Sequence, residues 1–165
     1  MSPGEENSVE TNDRKAPASE IPRRIIEEST LDAVIYADRS GTIRLWNHGA
    51  EIMFGYRSDE AVGQSLELII PERLRTPHWQ GWDRVMETGT TRYGASPLSA
   101  PGVTKDGHRI SLEFSIVILK DPEGRIDGVA AIMRDVTERW NADRERRRLL
   151  KEYERQLTDR TADGS

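Results

Sequence analysis

RYGASPLSAPGVTKDGHRISLEFSIVILKDPEGRIDGVAAIMRD, residues 92–135, decides the fold class. Three apolar-rich runs are separated by Lys105-Asp106-Gly107-His108 and Asp121-Pro122-Glu123-Gly124, both of turn composition. In the middle run Leu112, Phe114, Ile116 and Ile118 alternate with Glu113 and Ser115, so they share one face of a strand. A sheet with one apolar face must cover that face. The pattern predicts antiparallel strands packed on helices from one side, an α+β fold, with the strand order open.

Upstream, AVIYAD (Ala33–Asp38) and TIRLWN (Thr42–Asn47) flank Arg39-Ser40-Gly41, which predicts a hairpin with Gly41 at positive φ. In NHGAEIMFGY, Ile52, Met53, Phe54 and Tyr56 fall in a short helical turn ended by Gly55. Ser58-Asp59-Glu60 opens another brief helix that Gly63 breaks. QSLELII (Gln64–Ile70) then leads into PERLRTPHWQGWDRVMET, residues 71–88. Pro71 and Glu72 suit a helix start, and Gly89 suits its end. Leu74, His78, Trp82 and Val85 share one face of this helix, with Arg73, Gln80, Asp83, Arg84 and Glu87 opposite. His78 is therefore a titratable imidazole on an apolar stripe. Either the core satisfies it with a hydrogen bond, or something in the core uses it as a ligand.

The ends differ in character. Residues 1–19 are rich in Pro, Glu, Ser and Asn and are expected to be disordered, as is the short tail 161–165. From Ser19, read as a helix cap, Ile21, Ile25 and Ile26 form a narrow stripe up to about Glu28. Such a short helix must lie on the domain or on a partner. Residues 137–160 form a long charged helix whose seam runs through Val136, Trp140, Leu150, Tyr153 and Leu157, interrupted by Asp143 and Arg147. A helix this polar is stable against a partner, and a short coiled coil is the expectation. The domain proper is then 20–136.

Composition narrows the chemistry. The 165 residues include no cysteine, which excludes disulfides, thiolate metal sites and flavin–cysteine adducts. No apolar run is long enough to span a membrane, and no secretory signal opens the chain, so a cytoplasmic protein is expected. The net charge of -5, with acids and bases interspersed, argues against a nucleic-acid surface. No nucleophile–base set, phosphate-cradling loop or paired-carboxylate motif points to an enzyme.

The order of elements, together with Asn47, Ala50, Glu51, Phe54, Gly55, Tyr56, Gly63, Pro71, Lys105-Asp106-Gly107 and Asp135-Val136-Thr137-Glu138, resembles a PAS domain over about Ile21 to Trp140. The resemblance implies a sensory module: five antiparallel strands with short helices and one long helix on one face. It also implies flanking N- and C-terminal helices, a homodimer, and signalling through the C-terminal helix. With no output segment in the chain, the signal is expected to pass to a partner protein such as a histidine kinase.

Within that family RTPHWQGWDRV resembles the helix of heme-binding, oxygen-sensing PAS domains, where a histidine follows Pro-x-x-x-R-x-x-H. Pro71, Arg75 and His78 keep that spacing. The resemblance makes His78 the axial ligand of a heme b, and it makes Leu112, Phe114 and Ile116 an apolar wall over the ring. Arg84 takes a basic position facing the propionates. Trp82 is either pocket lining or core. Leu98 and Ser96 stand where oxygen-sensing relatives carry an arginine donor and a methionine ligand. Without that donor, bound dioxygen loses roughly 1.5–3 kcal/mol, so CO or NO sensing is equally open. Met133 is a candidate sixth ligand, or core filling. The alternative is a metal-free interaction module, holding a small organic ligand, a flavin such as FAD, or nothing. His48 and His108 read as a helix-start and a turn residue.

Overall fold

The computed structural model describes residues 17–91 and 97–162. In chain order it has α1 (Ile21–Glu28), β1 (Ala33–Asp38), β2 (Ile43–Trp46), α2 (His48–Phe54), α3 (Ser58–Ala61) and a 3-10 turn (Leu66–Leu68). These are followed by α4 (Glu72–Thr88), β3 (Leu98–Val103), β4 (Arg109–Lys120), β5 (Ile126–Asp135) and α5 (Thr137–Ala162). Ser96 and most of the expected tails lie outside the described residues. Pro17 to Ser19, assigned above to the tail, belong to a turn in which the Glu20 N–H donates to the Pro17 carbonyl at 2.8 Å. The cap of α1 is Glu20, not Ser19, and it makes no side-chain cap bond. Pro22 in the first turn fixes the helix start instead.

All strand pairs are antiparallel, in the order β2-β1-β5-β4-β3. The hairpin and the three later strands become one sheet where β1 lies along β5, from Ala33 opposite Met133 to Asp38 opposite Gly128. Period-2 alternation then sends Ala33, Ile35 and Ala37 of β1, Val129, Ala131 and Met133 of β5, and Leu112 of β4 to one buried face. Phe54, Ala50, Leu66 and Ile69 from the helical segment complete that core.

The β1–β2 hairpin is built by its turn. Gly41 sits at φ 79°, and a Cβ there would fall 2.4 Å from the Trp79 ring, so both conformation and space require glycine. Asp38 organises the turn: its carboxylate accepts from Arg44 Nε (2.6 Å), from Ser40 Oγ and N–H (2.6 and 3.0 Å), and from the Thr42 N–H (3.2 Å). Partial burial pushes its pKa up, but these donors outweigh it and hold the carboxyl down at about 2. A carboxylate with a depressed folded pKa stabilises above its ordinary range and loses that contribution as pH falls through about 2. Asp38→Asn is therefore expected to cost about 1–2 kcal/mol near neutrality, with the difference closing as pH approaches 2. Urea unfolding of both proteins across that range measures it.

The C-terminal junction is equally specified. Asp135 Oδ1 accepts from the Thr137 N–H at 2.8 Å, capping α5. The Val136 N–H donates to the Ser111 carbonyl, and the Ser111 N–H donates to Thr137 Oγ1, both at 2.8 Å, which pins the first turn to β4. Farther along, Trp140, Leu149, Leu150, Tyr153 and Leu157 are all exposed. On α1, Ile21, Ile25 and Ile26 are likewise exposed, so among the described residues nothing covers these apolar side chains of the two flanking helices.

Candidate functional site on the long helix

Helix α4 spans Glu72–Thr88 and ends on Gly89 in the left-handed conformation, its N–H donating to the Val85 carbonyl. The face expected to point inward does so. Leu74, His78, Trp82 and Val85 are half-buried, whereas Arg73, Gln80, Asp83, Arg84 and Glu87 are exposed. Met86, one position off that stripe, is the helix's most buried side chain.

Two indoles, Trp82 on the expected stripe and Trp79 beside it, hold the helix in place. Trp79 lies over Gly41 and donates its Nε1–H to Glu67 Oε1 at 2.7 Å. Trp82 donates to the Arg39 carbonyl at 3.1 Å. Arg75 donates from Nη2 to the Glu67 carbonyl and from Nε to the Ile70 carbonyl, which fastens the start of α4 to the 3-10 turn. Glu67 is thus a structural member of the site that the reading of residues did not single out. Its signal was available: it is the single charge in the run Gln64–Ile70.

His78 stands among these groups, 4.8 Å from the Trp79 ring centre in an edge-on arrangement and 6.0 Å from that of Trp82. Among the described residues, its Nδ1 is the one buried side-chain polar atom without a hydrogen-bond partner. Burial pushes the imidazole pKa below its ordinary value, and the Glu67 charge only partly offsets this. The ring is therefore neutral near pH 7 and keeps a lone pair. Leaving a buried polar atom unsatisfied costs about 1–3 kcal/mol. A group bonded or hydrogen-bonded to Nδ1 itself removes that cost.

The inner face of the sheet is apolar. Leu112 is buried, while Phe114 and Ile116 are half-buried and pack on the core. Leu98 lies opposite Phe114 in the β3–β4 register, and Phe114 lies opposite Met133 on β5, so the three share one row. No extended backbone packing joins α4 to the sheet among the described residues; the helix is held through its side chains. Arg84 is exposed on the outer side of α4. His48 is exposed, with Nδ1 3.1 Å from Glu51 Oε2, and His108 is exposed in its turn. Among the described residues no three His, Asp or Glu side chains gather into a chelating group. A neutral imidazole with an orphaned buried nitrogen beside two indoles suits the iron of a porphyrin, which needs one protein ligand, better than a polydentate metal site.

Comparison with known proteins places this architecture. The family model described as PAS fold matches residues 28–141. Among curated relatives, the sensor protein FixL of Bradyrhizobium diazoefficiens is 29% identical over 115 residues, covering 70% of this chain and 22% of that protein. The oxygen sensor protein DosP of Escherichia coli is 24% identical over 125 residues, covering 76% and 15%. The signal transduction histidine-protein kinase AtoS of Escherichia coli is 28% identical over 136 residues, covering 81% and 20%. The chain thus spans about a fifth of the length of these relatives. A PAS domain from Colwellia psychrerythraea superimposes with a TM-score of 0.64 at 22% identity, covering 74% of this chain and 99% of that one. Sheet order, helix placement and the family match agree: this chain belongs to the PAS-fold family, as a sensory module related to those of histidine-kinase sensors.

Proposed function

We propose that this PAS domain holds a heme b through His78 and passes the state of that site to a dimer mate or a kinase partner through α5. The observation that carries the reading is the buried, unpartnered Nδ1 of a neutral His78. The kinship with DosP, named an oxygen sensor, supports it. His78 would bind the iron, Leu112, Phe114, Ile116 and Trp82 would wall the ring, and Arg84 would swing to a propionate. Bound there, heme would supply an iron centre that takes a diatomic gas or changes redox state. The chain's own residues do the rest. The indole bonds of Trp79 and Trp82 fix the helix that carries the ligand, and the apolar rows of β3, β4 and β5 exclude water. β4 and β5 lead directly to α5 through the Ser111, Asp135 and Thr137 contacts. Leu98 offers no hydrogen-bond donor, so the site is expected to favour CO and NO over dioxygen relative to a site with an arginine there. Its shortfall for dioxygen is about tenfold to a hundredfold.

Protein purified with heme supplied is expected to show a Soret band that His78→Ala abolishes or shifts. Equal heme binding by His78→Ala overturns the ligand assignment. A second reading has its own observation: the exposed apolar side chains on α1 and α5 suit a metal-free dimerising module. Colourless protein after reconstitution, dimeric by sedimentation, would establish that reading instead, and a yellow protein would point to flavin.

A further inference from the structure

A row of alternating charges crosses the outer face of the sheet, on the opposite side from His78. It begins at Asp32, directly before β1, whose carboxylate accepts from Arg134 Nε and Nη2 at 2.8 and 2.9 Å. Arg134, near the end of β5, lies opposite Glu113 of β4 in the strand register. Glu113 in turn accepts from Arg139 in the first turns of α5. Acid, base, acid, base follow one another from the residue before β1, across β5 and β4, and onto the C-terminal helix.

The other end of the row is tied to the N-terminal helix. The Asp32 carbonyl accepts from Asn47 Nδ2 at 3.0 Å. The same amide nitrogen donates to the Ile26 carbonyl inside α1 at 2.9 Å and to the Ser29 carbonyl just after it at 3.3 Å. Gly49 lets α2 close on the segment, since a Cβ there would fall 2.2 Å from the Asp32 oxygen. Asp32 is thus gripped through its backbone by the group that holds α1, and through its side chain by the row that reaches α5.

We propose that Asp32, Arg134, Glu113 and Arg139 form a charged strap that couples the two flanking helices across the outer face, independently of the His78 side of the sheet. The strap does not rest on the heme reading, since none of its members lies on α4. Single exposed ion pairs contribute little, but here the bidentate Asp32–Arg134 pair and the Glu113–Arg139 pair abut at one cross-strand position, where Arg134 stands opposite Glu113. The device lets a partner acting on α1 bias α5 even when the inner face is unchanged.

Hydrogen exchange followed by mass spectrometry on the full chain tests this. Arg134→Gln breaks the row at its centre, yet the Arg134 side chain bonds neither flanking helix. It is expected to speed exchange about threefold or more both in 21–29 and in 137–145, and about 0.5 M salt is expected to reproduce part of the effect in the unaltered protein. The charge-exchanged double variant Asp32→Arg with Arg134→Asp re-forms the first pair but sets a carboxylate against Glu113, so it is expected to restore slow exchange in 21–29 and not in 137–145. Lys105→Gln, which removes the ion pair to Glu60 on another face, is expected to leave both segments unchanged. Exchange altered by Arg134→Gln in only one helix, or altered equally by Lys105→Gln, overturns the coupling.

Discussion

Asn47→Leu is expected to lower the unfolding free energy by about 3–5 kcal/mol, and the melting temperature by roughly 10–20 °C. Asn47 is almost fully buried, and its side chain uses both ends. Oδ1 accepts from the Val34 N–H at 2.8 Å and from the Ala50 N–H at 2.9 Å. Nδ2 is shared among the carbonyls of Ile26, Ser29 and Asp32. Leucine fits the volume but strands all of these backbone groups out of reach of water, so the cost is their desolvation and not merely the loss of one bond. Asn47→Asp is expected to be nearly as damaging, because a carboxylate would face three carbonyl oxygens with no proton to offer. Chemical unfolding of the two variants is decisive: a loss below about 1 kcal/mol for leucine would mean the node is not structural.

Asn47 also shows where sequence reading stops. Its place at the head of N-x-x-A-E-x-x-F-G-Y marked it as part of a family pattern, and N-capping of α2 is a local rule that any Asn before a helical turn invites. The three carbonyls it gathers come from residues 15 to 21 positions earlier, and no periodicity encodes such a meeting. Local features were legible because local physics sets them. Ala33–Asp38 follows from alternation, Gly41, Gly55 and Gly89 from positive φ, and α4 from its stripe and terminal residues. Strand order was not legible, since β1 pairs with β5 across about ninety intervening residues. The same holds for the site. His78 could be placed on the inner face from spacing, whereas the indole bonds of Trp79 to Glu67 and Trp82 to Arg39 depend on where the hairpin turn docks. The charged row of Asp32, Arg134, Glu113 and Arg139 is invisible before the strand register is known, because its members are far apart in sequence and neighbours only across strands.

Phe54→Ala is expected to cost about 3–5 kcal/mol, and Phe54→Leu about 1–1.5 kcal/mol. Phe54 ends α2 and is fully buried; its ring centre lies 5.4 Å from that of Trp46 at a tilt of 44°. On its other side the ring reaches β3, where a Cβ on Gly102 would sit 3.4 Å from Cε1. Its backbone carbonyl accepts from the Lys105 N–H at 2.8 Å, so the residue joins α2 to the turn between β3 and β4 through main chain and side chain together. Alanine keeps the backbone bond and removes the ring, leaving a void between two strands that pair with different neighbours and cannot collapse toward each other without breaking the sheet. Leucine fills most of that void, which is why the two variants should separate by at least about 2 kcal/mol. Because neither substitution touches α4, His78 should keep its buried, neutral state in whatever fraction remains folded. Heme uptake by Phe54→Leu is therefore expected to match that of the unaltered protein, while His78→Ala loses it with little change in unfolding. That double dissociation separates the residues that make the fold from the one proposed to use it.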